Sequence, residues 1–268
     1  MDFCIINLPI TRYSNPELKN VDIENLFRIY KQCYVSEGLS MFKNRFMARF
    51  DFNEYNSLNE PCIFFGVYTD EDLALIMNHK DLKIIIFGGS DINLDQNHNK
   101  NTIDLLKTVD NIIFISISEC IYTRLKSIQI NSIYYILNLV DKNLFKYVDG
   151  SKKSNTIYIY NGQIEGREYL YGKKYYDMVI LKLNSNGYTF NYIYSNKLNI
   201  NHENMPEIYN KCFVMLRLTK YDGNANSVQE CEAMKIPVIH NQSNYGLKWK
   251  NAEDICNMIC KLYNDQDP

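Results

Sequence analysis

Two carboxylates stand close together in the most informative stretch of the sequence, residues 217–241, which read RLTKYDGNANSVQECEAMKIPVIHN. Asp222 and Glu230 are separated by seven residues, and Gly223 directly follows the first of them. A carboxylate can accept two hydrogen bonds from a vicinal diol such as a ribose, and a glycine lets the backbone approach a ligand closely. The spacing predicts that Glu230 binds a ribose and that Asp222, a candidate catalytic residue, lies near the sugar at the other end of one nucleotide sugar.

The elements around these carboxylates are predicted to place a helix amino terminus beside them. An apolar strand should end at Leu218 and a helix should begin near Asn226, whose side chain has the spacing of a capping box with Gln229. The dipole and the unpaired N–H groups of a helix start attract phosphate. We therefore expect donor-binding contacts from the end of the strand and the turn that follows it, at Arg217, Gly223, Asn224, Ala225, Asn226 and Ser227.

This stretch resembles the C-terminal domain of GT-B glycosyltransferases, in particular glycosyltransferase family 4. The family motif is Glu-x7-Glu followed by Pro-Val seven residues after the second Glu, and Asp222, Glu230, Pro237 and Val238 occupy those positions. Residues 155–265 follow the family pattern, and the first half resembles it in architecture. The resemblance implies a metal-independent, retaining transferase without a cofactor, which moves a sugar from a nucleotide-sugar donor to a glycan or other hydroxyl acceptor.

The cations that bind the donor diphosphate in this family are absent from their usual positions. In the family, a Gly-Arg pair and a Lys-Gly pair follow the first strand of the domain, whereas here Gln163 follows Gly162 and a tyrosine precedes Gly172. Arg167 and Lys173 lie nearby and could supply the positive charge that binds the diphosphate. Gly162 is a further candidate donor-binding residue in this segment. Solvated loop charges are an equally good interpretation of both cations.

Two further departures affect the motif itself. Asp222 is one methylene shorter than the family's Glu, and Lys235 stands where the family has a small Gly before the Pro. The missing Arg-Lys pair and the short chain motivate a second hypothesis, a catalytically degenerate GT-B protein that holds a nucleotide sugar or a partner subunit without turnover.

The first half offers two acidic candidates. Asp91 comes shortly after a predicted strand at Lys83–Phe87 and could orient an acceptor hydroxyl as a second catalytic residue, although a turn-capping role is the favoured alternative. Asp70 and Asp72 spell DxD, which in the other large glycosyltransferase fold binds a divalent metal. An ordinary helix cap is favoured here as well, so no metal ligand is predicted, and a metal-dependent transferase remains a third hypothesis.

Short apolar runs alternate with segments of helical period, which predicts an α/β fold of two Rossmann-like, doubly wound parallel domains, 1–145 and 146–268. Strands are predicted at 62–68, 83–87, 112–117, 132–137, 156–160, 188–194, 213–218 and 237–240, and helices at 71–78, 102–109, 119–128, 173–183, 205–211, 227–234 and 252–263. Residues 17–58 are expected to be mostly helical, with Asp22 and Ser36 as N-caps, and residues 139–155 to form a linker. The ligand is expected where strand ends of both halves face one cleft, with the acceptor entering from the first domain.

Composition narrows the classes of protein. With 268 residues, 46% of them hydrophobic, the chain is expected to fold as a globular protein. A net charge of -2 argues against nucleic acid as a partner. Neither a transmembrane segment nor a signal peptide is predicted, so a cytoplasmic location is expected.

A bias toward Ile, Asn, Lys and Tyr suggests an AT-rich coding genome of a virus or a low-GC microbe, and the location would be host cytoplasm in the viral case. The eight cysteines form no CxxC pair and are predicted to be reduced core residues. The sequence leaves open the nucleotide base, the acceptor and the oligomeric state.

Overall fold

The computed structural model describes residues 23–93, 97–148, 154–162, 166–219, 222–241 and 245–266. The chain divides into two compact units, Met1–Leu139 and Val140–Pro268, whereas the sequence placed the boundary after residue 145. Phe145 is 1% exposed and lies 6.2 Å from the ring of Tyr209, measured between centroids, so it packs in the core of the second unit. The start of the expected linker thus contributes to a core.

The first unit is a parallel sheet with helices. Its six strands are β1 (Gln32–Val35), β2 (Asn53–Glu54), β3 (Cys62–Phe65), β4 (Lys83–Phe87), β5 (Ile112–Ser116) and β6 (Ser132–Tyr134), in the order β2-β1-β3-β4-β5-β6. Its helices are α1 (Ile23–Ile29), α2 (Ser40–Phe50), α3 (Asp70–Asn78), α4 (Asn97–Leu106) and α5 (Glu119–Ser127). Every residue of β3 and β4 is buried, as expected for central strands of a parallel sheet covered on both faces.

The mostly helical interpretation of residues 17–58 was wrong for two short segments. β1 pairs in parallel with β3 over its whole length, and β2 adds one further pairing at the sheet edge. Four residues are too few to show a period, and both flanking segments are helical, so pairing with β3 decided the structure of β1. Ser36 makes no side-chain capping bond, because its hydroxyl instead donates to Asp72 Oδ2 at 2.7 Å. Asp22 lies outside the described residues.

The second unit has the same kind of architecture. Its strands are β7 (Thr156–Ile159), β8 (Asn191–Tyr194), β9 (Val214–Leu216) and β10 (Val238–Ile239), all parallel, in the order β10-β9-β7-β8. Its helices are α6 (Lys173–Ser185), α7 (Met205–Tyr209), α8 (Asn226–Ala233) and α9 (Ala252–Asn264). The predicted α/β class is confirmed. Since these strands are parallel, the loops that follow β7, β9 and β10 leave one edge of the sheet, where such folds bind ligands.

Lys235 occupies a backbone conformation that favours glycine. Its φ is 58°, in the left-handed region, which gives a structural reason for a glycine at this position of the motif. The Lys235 ammonium lies 4.2 Å from the centre of the Tyr147 ring, an arrangement that offsets part of the backbone cost of about 1 kcal/mol.

Across the described part of the chain, no helix is both long and apolar enough to cross a membrane. Within the same residues no disulfide forms, and five of the seven cysteines there are buried, as predicted: Cys33, Cys62, Cys212, Cys231 and Cys256.

Candidate functional site

Arg217 follows β9 directly and connects three neighbouring side chains. Its Nε donates to Asp222 Oδ2 at 2.5 Å, its Nη1 donates to Ser227 Oγ at 2.9 Å, and its guanidinium carbon lies 3.9 Å from the centre of the Tyr160 ring. The side chains of Arg217 and Asp222 are only 11% and 9% exposed. Burial is the largest single effect and disfavours the charged guanidinium, but the charge of Asp222, the neighbouring Tyr160 and the hydrogen bonds to both together outweigh burial and raise the pKa of Arg217. The end of β9 therefore carries a buried cation, fixed against the first turn of α8.

Asp222 is already engaged within the protein. Besides the bond from Arg217, its Oδ2 accepts a longer bond from the Thr219 hydroxyl at 3.4 Å. The sequence assigned this carboxylate to the donor sugar, and in this structure a sugar hydroxyl would share it with Arg217. In this structure the Asp222 carboxylate fixes the position of Arg217 and balances much of the guanidinium charge.

Glu230 lies one turn inside α8, where its carboxylate is 2% exposed. Oε1 accepts hydrogen bonds from His202 Nε2, at 2.5 Å, and from the Asn226 amide, and Oε2 accepts one from the Tyr209 hydroxyl at 3.1 Å. A carboxylate only accepts, so Nε2 of His202 carries the proton. The result is a buried acidic group held by three donors from three separate segments.

The expected capping box at the start of α8 was wrong, although the helix begins at Asn226 as predicted. The N-cap residue is Ala225, which has no side-chain acceptor. Asn226 is the first helical residue, and its side chain donates to Glu230. The Gln229 amide nitrogen donates to Asn224 Oδ1. Both polar side chains thus organise the turn between β9 and α8.

His240 follows β10 and lies behind Arg217. The side chain is fully buried, and Nδ1 lies 2.8 Å from the carbonyl oxygen of Arg217, so Nδ1 carries the proton. Burial lowers the pKa of His240, which favours the neutral ring. Nε2 meets no hydrogen-bonding partner among the described residues. One of the two ring nitrogens of this core histidine is therefore satisfied.

The two glycines after β7 set a close approach between this loop and the end of β9. Gly162 has a φ of 88°, and a Cβ there would collide with the Tyr171 ring. Gly172 has a φ of 81°, and a Cβ there would overlap the carbonyl oxygen of Leu218. Glycine is required at both positions for backbone and packing reasons, and Gly162 is buried at the edge where ligand contacts were expected.

The proposed loop cations lie in exposed positions. Arg167 and Lys173 are both exposed, and Lys173 pairs with Asp177 at 3.0 Å, one helical turn away on α6. Arg217 differs from both because it is buried at the strand ends. Its bond to Ser227 places this cation beside the first turn of α8.

In the first unit, the Asp91 side chain stabilises the turn after β4 by hydrogen bonds to its backbone. Its carboxylate accepts backbone N–H bonds from Val67 at 3.2 Å, Gly88 at 3.0 Å and Gly89 at 2.8 Å, and the side chain is buried. Burial raises the pKa of Asp91 to about 6, against the opposing effect of those N–H groups. The geometry supports the turn-capping alternative, since both carboxylate oxygens are used by the backbone.

The DxD sequence forms a helix cap. Asp72 completes a capping box with Thr69 at the start of α3, and its carboxylate also accepts bonds from the hydroxyls of Tyr34 and Ser36, both at 2.7 Å. Within the described segments, no three His, Cys, Asp or Glu side chains come together as a metal-ligating group. Asp72 is therefore a buried structural carboxylate that connects the start of α3 to Tyr34 and Ser36.

Solved structures of glycosyltransferases share this fold. HepE from Anabaena, solved with UDP and glucose, has a TM-score of 0.59 at 9% identity, over 91% of this chain and 87% of that chain. Sucrose-phosphate synthase from Thermosynechococcus elongatus has a TM-score of 0.57 at 11% identity, over 85% and 68%. The fold is that of GT-B glycosyltransferases. TarM has a TM-score of 0.53 at 13% identity, and the match covers 76% of this chain but only 48% of TarM.

At these identities the likeness shows the fold, and the roles of individual residues depend on the geometry described above. No protein-family model matches the sequence, and no curated protein matches it either.

Proposed function

We propose that this chain is a nucleotide-sugar-dependent glycosyltransferase whose donor binds in the second unit, at the turn between β9 and α8. The observation that carries the proposal is that a buried carboxylate, Glu230, and a buried cation, Arg217, each contact a side chain in the first turn of α8, Asn226 and Ser227 respectively. A ribose diol is bound by a carboxylate, and a diphosphate is bound by a cation and a helix amino terminus. The GT-B fold and the motif that resembles family 4 support the same assignment.

In this proposal the protein acts by positioning and by electrostatic stabilisation. Glu230 accepts hydrogen bonds from the ribose, and the first turn of α8 donates to the diphosphate. Arg217 adds positive charge where the departing nucleoside diphosphate becomes more negative, which lowers the barrier to cleavage of the sugar–phosphate bond. Asp222 tunes and orients Arg217 near the transferred sugar. The resemblance to family 4 favours a retaining reaction without a metal, with a glycan or other hydroxyl compound as acceptor.

The donor nucleotide is proposed to be UDP. HepE was solved with UDP and glucose, and a TarM variant was solved with UDP, which supports this nucleotide. A thermal-shift screen of UDP-, GDP-, ADP- and CMP-sugars tests the choice, because a ligand at 100 times its Kd adds about 2.7 kcal/mol of stability. We expect the largest shift with a UDP-sugar, and no shift with any of the four would refute nucleotide-sugar binding.

The role of Glu230 is tested by Glu230→Gln, which keeps the shape and removes the charge. We expect weaker donor binding and slower sugar transfer or donor hydrolysis. Glu232→Gln is the matched control, because it makes the same change on the same helix at an exposed position. Unchanged donor affinity in a folded Glu230→Gln protein would show that the assignment of the ribose site is wrong.

A second candidate function is donor binding without turnover. Two observations favour it: the loop cation Lys173 is paired with Asp177, and Asp222 is engaged by Arg217. Radiolabelled donor separates the two functions, since an active transferase releases sugar to water slowly even without acceptor. A chelator should leave that release unchanged, and a loss of activity would instead support a metal-dependent reaction.

A further inference from the structure

We propose that His202 binds the nucleotide's ribose together with Glu230, so that the diol is recognised by a histidine–carboxylate pair and not by the carboxylate alone. This inference rests on the proposed function. The four histidines of the sequence show no ligand spacing, so the sequence alone does not mark His202 as a site residue. The fold brings His202 to Glu230 across 28 residues of sequence, with Nε2 and Oε1 only 2.5 Å apart.

The hydrogen bonds already made by Glu230 motivate a second ribose-binding group. Each carboxylate oxygen accepts about two hydrogen bonds, and Oε1 already accepts from both His202 and Asn226. Oε2 accepts from Tyr209 as well. A diol that donates two hydrogen bonds therefore meets a carboxylate whose capacity is largely used inside the protein. An additional acceptor beside Glu230 would complete its recognition.

His202 has the chemistry and the exposure to be that acceptor. Because Nε2–H donates to the carboxylate, the neutral ring carries a lone pair on Nδ1, which accepts a hydroxyl proton. The His202 side chain is 38% exposed and Glu230 is 2% exposed, so the imidazole is the member of the pair that solvent and a ligand can reach. In the neutral ring, the bond to the carboxylate therefore favours the tautomer in which Nδ1 is the acceptor.

Packing holds the imidazole in place for this role. Its ring lies 5.1 Å from that of Phe145, centroid to centroid, with an interplanar angle of 55°. His202 also begins a short 3-10 helix, His202–Asn204, directly before α7. The tilted contact with Phe145 and the bond to Glu230 both restrain the ring, which lowers the entropy lost when a ligand binds.

The experiment compares UDP with 2′-deoxy-UDP and 3′-deoxy-UDP by calorimetry, in the wild-type protein and in His202→Phe. Phe keeps a ring against Phe145 and removes both nitrogens. We expect the wild-type protein to bind UDP about ten-fold more tightly than at least one deoxy analogue, and His202→Phe to weaken UDP binding about ten-fold while losing that preference. His202→Gln, whose amide can both donate and accept, should restore part of the preference, and Glu203→Gln on the same 3-10 helix should leave it unchanged.

Three outcomes would overturn the inference. A purely structural role predicts that His202→Phe weakens UDP and both deoxy analogues by the same factor. A wild-type protein that binds UDP without any preference for the intact diol would show that no such recognition exists. If the wild-type protein binds no UDP at all, the inference fails together with the choice of UDP as the donor nucleotide, whereas the proposed function fails only if the GDP-, ADP- and CMP-sugars also give no thermal shift.

Discussion

Replacing Asp222 by Asn should destabilise the second unit because it leaves the charge of Arg217 buried without its counter-charge. The Arg217 side chain is 11% exposed, and among the described residues its guanidinium also contacts the neutral groups of Ser227 and Tyr160. Removing one member of a buried ion pair costs about 3–5 kcal/mol. Asn keeps an oxygen that can accept the Nε–H bond, so we expect the lower end of that range, about 3 kcal/mol. With a urea dependence of about 2 kcal/mol/M, the unfolding midpoint should fall by about 1.5 M.

The protein contains its own probe for this measurement. Trp249 is the single tryptophan of the chain, it lies in the second unit, and its ring is 4.7 Å from that of Tyr175 between centroids. Its fluorescence during urea unfolding therefore reports on the unit that contains Asp222. Asp177→Asn is the matched control, because it breaks the exposed pair with Lys173 and should leave the midpoint in place.

A double-mutant cycle decides whether the pair itself is responsible. Arg217→Met removes the buried charge, so Arg217→Met combined with Asp222→Asn should cost less than the sum of the single changes, by about 2 kcal/mol. Additive costs, or an Asp222→Asn midpoint within about 0.3 M of wild type, would refute the description of a buried, charge-balanced pair.

Three further predictions concern other parts of the chain. Gly172→Ala should destabilise the protein more than Gly187→Ala, because both glycines have φ above +80° but only a Cβ at Gly172 would overlap a backbone atom, the carbonyl oxygen of Leu218. We expect Gly187→Ala to cost about 1 kcal/mol of unfolding free energy. Equal costs for the two variants would show that the close approach at Gly172 is unimportant. Burial raises the folded-state pKa of Asp91 from 3.8 to about 6, so the stability that this group contributes is present below pH 3.8 and is lost as the pH rises through 6. An NMR titration of its carboxyl carbon should show a midpoint near pH 6. A midpoint below pH 4 would contradict the raised pKa. Asp70→Asn should leave sugar transfer unchanged, because the acidic residues at the start of α3 interact with the dipole of that helix. Loss of transfer in this variant, restored by added divalent metal, would support the metal-dependent alternative.

The strands and helices of the second unit could be predicted from the sequence because each has a clear local signal. β7 is a run of β-branched and aromatic residues, Thr156–Ile159, and a polar loop follows it. α9 has apolar residues at helical spacing, with Ile255 and Ile259 buried one turn apart. Such patterns depend on nearest neighbours along the chain, so the sequence carries them directly.

The contacts within the candidate site could be predicted only in part. Asp222, Glu230 and the helix start were singled out because they lie within nine consecutive residues, whereas His202 contacts Glu230 across 28 residues. Periodicity does not specify which distant side chains meet. A usable signal did exist for Arg217: a charged residue directly after the apolar strand Val214–Leu216 needs a nearby counter-charge, and Asp222 is five residues away. The pairing of these two residues follows from that requirement and not from the family motif.

The most direct test of the central claim is a crystal structure of the protein soaked with a UDP-sugar. We predict the diphosphate at the first turn of α8, within hydrogen-bond distance of its backbone N–H groups, and the ribose hydroxyls on Glu230 and His202. Clear density for the nucleotide at any other place, with the turn between β9 and α8 left without it, would contradict the account.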